Sequence, residues 1–138
     1  MANTFKLVTK AGVTSADVIY TVAGSTTTVV LGIMVGNTTT GQITATVSLA
    51  SDTSSRAGAN NEANQTVELV TNAPIPVGGT LELLAGNKVV MEATDTLSLT
   101  ATGSADIAIS MMEITEDGFY RDTFRYQKYF SISCRQEV

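Results

Sequence analysis

The stretch Gln42-Ile43-Thr44-Ala45-Thr46-Val47-Ser48-Leu49 decides the fold class. Ile43, Ala45, Val47 and Leu49 take every second position and Thr44, Thr46 and Ser48 the positions between, which is the two-residue period of a strand with one dry and one wet face. Outward from this segment the same alternation recurs at Phe5/Leu7, Val18–Val22, Val67/Leu69, Leu81/Leu83, Val89/Met91, Leu97/Leu99 and Ile107/Ile109/Met111. Thr28–Val35 is apolar at almost every position, so it is predicted to be a central strand covered on both faces.

Turn signals separate these runs: Gly24-Ser25, Gly36 to Gly41, Pro76-Val-Gly-Gly79, Ala85-Gly-Asn87, Ala93-Thr-Asp95 and Thr102-Gly-Ser104. Gly and Asn tolerate positive φ, and Asp and Ser bond their own backbone. Short strands at this spacing predict an all-β chain, an antiparallel β-sandwich of jelly-roll type with eight or nine strands. Thr, the commonest residue, suits the solvated face of a sheet.

Ser51 to Asn64 contains no large apolar residue and is predicted to be a long surface loop, mobile or ordered at a contact. The end of the chain differs in kind. Residues 116–138 hold Phe119, Tyr120, Phe124, Tyr126, Tyr129 and Phe130, whereas the body before them has only Phe5 and Tyr20 as aromatics. The expected division is therefore a sandwich domain over 1–115 and an extended C-terminal arm over 116–138. In Thr123–Arg135 an apolar side (Phe124, Tyr126, Phe130, Ile132, Cys134) alternates with a polar one (Arg125, Gln127, Tyr129, Ser131, Ser133, Arg135). Aromatic residues interleaved with Arg are the composition of interface anchors. The candidate interface residues are Phe119, Tyr120, Arg121, Phe124, Arg125, Tyr126, Tyr129, Phe130 and Ile132; folding back as a last edge strand of the same sandwich is the competing reading.

The chain has 138 residues, 43% of them hydrophobic, enough for one core. A net charge of −5 argues against nucleic acid as a partner. With no His and a single cysteine, Cys134, the sequence offers no His-based triad, no zinc cluster and no internal disulfide framework. The opening Met1-Ala-Asn-Thr-Phe-Lys6 has no signal-peptide layout, and the apolar run Val29–Val35 is far short of a membrane span. The expectation is a protein made in the cytoplasm and independent of membranes.

Several constellations could carry chemistry. Glu113, Glu116 and Asp117, or Asp52 with Asn60, Asn61 and Glu62, offer oxygen donors for Ca²⁺, but at spacings that match no calcium loop. Glu82/Glu92 and Asp95/Asp106 could supply two carboxylates for glycoside hydrolysis, although each sits at a solvated strand position or in a turn, with no Trp for sugar stacking. Cys134 lies in phase with the apolar side of the tail and reads as a small buried hydrophobe. Thr26–Thr28 and Thr38–Thr40 lack the regular repeat of an ice-binding array. Asn37-Thr-Thr and Asn64-Gln-Thr fit the glycosylation pattern by chance in so Thr-rich a chain. No catalytic, metal or cofactor site is expected.

The block Asn72–Thr100, the segment Ile107–Thr115, the opening Met1–Lys6 and the run Thr26–Gly32 together resemble small virion structural proteins of tailed bacteriophages, particularly those of aquatic and cyanobacterial hosts. The likeness covers about residues 1–115 and does not extend to the tail. It implies a non-enzymatic structural role in the virion. Small acidic β-sandwich proteins of that class often sit on the capsid exterior as decoration or cement subunits, commonly as trimers. The implied partners are copies of the chain itself and the major capsid protein, or tail and neck proteins. A neck, tail or fibre-attachment protein is the second reading and a host-surface or glycan-binding sandwich the third, with a small polysaccharide-degrading enzyme last.

Overall fold

A computed structural model of the chain describes residues 2–56 and 62–115. Nine strands follow one another: β1 (Ala2–Val13), β2 (Asp17–Thr21), β3 (Thr26–Asn37), β4 (Ile43–Ala50), β5 (Val67–Ile75), β6 (Thr80–Leu83), β7 (Val89–Met91), β8 (Thr96–Ala101) and β9 (Ala105–Thr115). Among the described residues there is no helix, and hence none long and apolar enough to cross a membrane.

The strands pair in a nested order. β1 pairs with β9, β2 with β8, β3 with both β6 and β7, and β4 with β5, all antiparallel. This is one long antiparallel ribbon whose tip is the loop after β4. Wrapping the ribbon brings β3 against β9 and β4 against β8. The result is two facing sheets, β1-β9-β3-β6 with β7 also on β3, and β2-β8-β4-β5. That is the jelly-roll sandwich expected from the sequence.

The core lies between the sheets. Val47, Leu97, Leu99, Ile107 and Ile109 are buried, as their alternation predicted. At the β8–β9 turn, where the chain changes sheets, a Cβ on Gly103 would stand 2.7 Å from Ile43 Cγ2, so only glycine fits without displacing core.

Two strands depart from the sequence reading. β3 is central in its hydrogen bonding, but the described residues cover only one of its faces: Thr28, Val30, Ile33 and Val35 are buried, while Met34 is exposed and Val29 half-buried. A register shift between Val30 and Gly32 moves the buried phase from even to odd residues, so a near-continuous apolar run serves two faces with a bulge between them. In β1 the expected dry face is also reversed. Phe5 and Leu7 pair with Met112 and Ser110, whereas the core residues Met111 and Ile109 pair with Lys6 and Val8. Register with β9 therefore turns Phe5 and Leu7 outward, 75% and 67% exposed.

Candidate functional site

These two departures build the most distinctive surface of the molecule. On the outer face of the larger sheet, Phe5 lies opposite Met112, Met112 opposite Val29, and Val29 opposite Val90, forming an apolar row across β1, β9, β3 and β7. Leu7 and Ile114 flank this row on the same face, and Met34, opposite Ala108, continues it toward the other end. Of the exposed large hydrophobics, Phe5, Leu7, Met34 and Val90 all belong to this face. Each position is dictated by pleat and register, because its strand neighbours Val30, Met111 and Met91 point into the core. A contiguous apolar surface four strands wide is what an interface core requires.

At the end of the sandwich nearest this row, a polar cluster ties the sheets together. The Tyr20 hydroxyl on β2 donates to Glu113 Oε2 on β9 at 2.5 Å and lies 2.8 Å from Thr28 Oγ1 on β3. Lys6 on β1 meets Glu113 Oε1 at 2.7 Å. Burial, together with the bond to Glu113, pushes the Tyr20 hydroxyl up to about 12. The Lys6 ammonium and the Tyr20 hydroxyl hold Glu113 below the usual carboxylate range. Glu113 thus joins β9 to β1 and β2, and the Tyr20 hydroxyl brings β3 into the cluster. Of the calcium set suggested by the sequence Glu113 is the only member among the described residues, Glu116 and Asp117 lying outside them.

The other constellations are dispersed. Glu82 is in register with Met34, whereas Glu92 comes directly after Met91, which is in register with Thr28; that separation along β3 is roughly 20 Å, too far for a hydrolytic pair. Asp95 and Asp106 lie at opposite ends of the sandwich, about the length of β8 apart, again roughly 20 Å. Asp106 accepts from Gly12 N, and the buried Asp95 carboxylate accepts from Glu92 N at 3.0 Å. Among the described residues no group of acidic side chains could hold a metal ion.

Beneath the β4–β5 loop is an open depression of about 470 Å³ with an apolar floor that includes Leu49, Val67 and Met91. Its polar rim is internally committed. Arg56 pairs with Glu62, Glu92 accepts from Thr53, and Asn64 donates to Ser51. Backbone bonds Arg56 N to Glu62 O and Asn64 N to Thr53 O give the loop a hydrogen-bonded stem, a detail absent from the sequence reading of a long surface loop, mobile or ordered at a contact. Asn60 and Asn61 lie outside the described residues.

All the tail residues expected to form an interface (Phe119, Tyr120, Arg121, Phe124, Arg125, Tyr126, Tyr129, Phe130, Ile132), and Cys134 with them, lie outside the described residues. What the sequence missed is Asn37. Its buried amide donates to the carbonyls of Gly41 and Ile75 and its Oδ1 accepts from Thr39 N and Oγ1, so the first glycosylation pattern is locked inside the fold.

No protein-family model matches the sequence, and no curated protein is similar to it. Among solved structures, the chain is similar to one described under Bacillus endospore appendages that form disulfide-linked pili, at 14% identity over 83% of this chain and 87% of that one, with a TM-score of 0.41. It is similar also to a chain of infectious bursal disease virus, Gx strain, at 11% identity over 86% of this chain and 34% of that one, TM-score 0.48. A third is the VP2 subviral particle of the same virus, at 8% identity over 82% and 32%, TM-score 0.47. The chain spans about a third of the length of these viral chains. Likeness at this level is of strand arrangement and says nothing of what the chain does.

Proposed function

We propose that the chain is a non-enzymatic structural subunit of a virion, a decoration protein that sits on the capsid and bridges its subunits. One observation carries this reading: the apolar row Phe5–Met112–Val29–Val90 on the outer face of the larger sheet. A protomer that leaves such a surface uncovered among its described residues is built to join something. The resemblance of residues 1–115 to phage virion proteins supplies the setting, and the aromatic residues of 116–138, with Arg interspersed, supply a second contact element. In this reading the candidate tail residues are interface anchors and the assembled form is a homo-oligomer, a trimer by the same resemblance.

The test is made on particles. Decoration predicts copies in proportion to capsomers, and shells that carry the protein resist heating or magnesium loss better than bare shells, because a ligand of the assembled state stabilises it by mass action. A count that fits one ring would place the protein in the neck or tail. Equal resistance of decorated and bare shells would refute cement function.

A further inference from the structure

We propose that the outer face of the β1-β9-β3-β7 sheet is the seat of residues 119–132 of a second copy of this chain. The inference rests on the reading of the chain as an assembling subunit and names the surface and the occupant.

The path of the chain supports it first. Thr115, the last residue of β9, stands three positions beyond Met112, so β9 ends beside the apolar row. β9 is hydrogen-bonded along its length to β1 on one side and β3 on the other, so the chain after Thr115 cannot form a hairpin with its own strand. An extended run over residues 116–138 can reach roughly 75 Å, about twice the length of β9 and enough to cross to a neighbour. A segment folding straight back on its own sheet would lay Glu116 and Asp117 against Ile114 and Met112. One arriving from a neighbour can cross the row with its aromatic stretch unbroken.

The chemistry of the two surfaces also matches. The face offers branched aliphatic and thioether groups (Val29, Val90, Met34, Met112), to which flat aromatic rings pack well. The tail offers Phe119, Tyr120, Phe124, Tyr126, Tyr129 and Phe130. Between residues 118 and 136 the charges are Arg121, Arg125, Lys128 and Arg135 against Asp122 alone, whereas the chain as a whole is at −5. Glu82, in register with Met34, and Asp106, in register with Gly36, stand at the lower rim of the face as partners for these cations.

Cys134 is the single cysteine of the chain and sits just past the proposed segment. The full chain, labelled there with a benzophenone maleimide, is mixed as ¹⁵N and natural-abundance copies, irradiated, and mapped by mass spectrometry. Light scattering on unlabelled protein measures its size. The expected result is an oligomer with cross-links from Cys134 to outer-face residues of β1, β3, β7 or β9, joining copies of different isotope. Phe5→Ser with Val90→Ser should lower the cross-link yield about tenfold and shift the mass to monomer without changing the circular dichroism; Met112→Gln is the second variant should that pair fail to fold. An oligomer whose cross-links fall elsewhere, or within one copy, overturns this seat and leaves the assembly reading standing. A monomeric wild-type chain overturns this seat and the homo-oligomer, and leaves the decoration reading to the measurements on shells.

Discussion

Met111 and Met112 are neighbours on β9 with opposite fates, and exchanging each for alanine separates the core from the docking face. Met111 is 1% exposed, in register with Val30 on one side and Lys6 on the other, on a strand held at both edges. The backbone there cannot collapse into the space that alanine would leave. Met111→Ala should therefore cost about 3 kcal/mol, the middle of the range for buried Met truncations, and lower the melting temperature by about 10 °C. Met112 lies one residue on, half-buried among outer-face neighbours, and Met112→Ala should cost under about 1 kcal/mol in the dissociated protomer. Its effect belongs to assembly. Urea unfolding at low protein concentration reads the first quantity and light scattering at high concentration the second, since association would otherwise add to apparent stability. Equal losses for the two variants in dilute protein would refute the reasoning, because they would mean that the outer face is already covered within a single chain.

Other outcomes are set by the polar contacts and the ribbon topology. Asn37→Ala should cost about 3 kcal/mol in urea unfolding, since it strips partners from buried carbonyls of the β5 end and from the β3–β4 turn. Tyr20 is raised to about 12 in the folded chain against an ordinary 10, so its contribution is complete below pH 10 and is lost as pH climbs from 10 to 12; Tyr20→Phe should flatten the alkaline limb of the stability–pH curve relative to wild type. Glu113, held low by Lys6 and Tyr20, gives the opposite sign: its contribution is present above the usual carboxylate range and is lost as pH falls through the folded value, so Glu113→Gln should shallow the acid limb. Deleting Ser54–Ala63 should leave the melting temperature within a few degrees of wild type, because it removes the Arg56–Glu62 stem and, among the described residues, no core residue. Truncation after Thr115 should leave a folded monomer by circular dichroism and light scattering.

The legible part of this fold was the part governed by local alternation. Val47, Leu97, Leu99 and Ile107 declare their strands and their buried side together, because polar residues mark the other face of each run. Phe5-Lys6-Leu7-Val8 carries apolar groups on both faces, so only pairing with β9 decides which face is inside. The phase change in β3 was half hidden: Gly32 inside an apolar strand is a local bulge signal, but which residues it turns inward is fixed only by pairing with β9. The Tyr20–Glu113 contact joins residues 93 apart in sequence and had no local signal. The residues that broke the expected periodicity are the ones that form the candidate site.

Those exceptions share one cause, the place of β9 in the sheet. In a nested ribbon the last strand pairs with the first, and wrapping then inserts it between β1 and β3, which do not pair with each other. β9 is consequently the strand that unites the larger sheet: inner residues Ile107, Ile109 and Met111 complete the core, while Ala108, Met112 and Ile114 connect the outer apolar residues of β1 to those of β3. A conservative apolar pattern on both faces of β9 is needed for these two tasks, and the sequence from Ile107 to Ile114 supplies it with only Ser110 and Glu113 as polar interruptions. Glu113 is the position where an inward polar group is tolerated, because Lys6 and Tyr20 meet it at the open end of the sandwich. β9 therefore ends at Thr115 in the middle of a completed sheet, with β1 paired along one edge and β3 along the other.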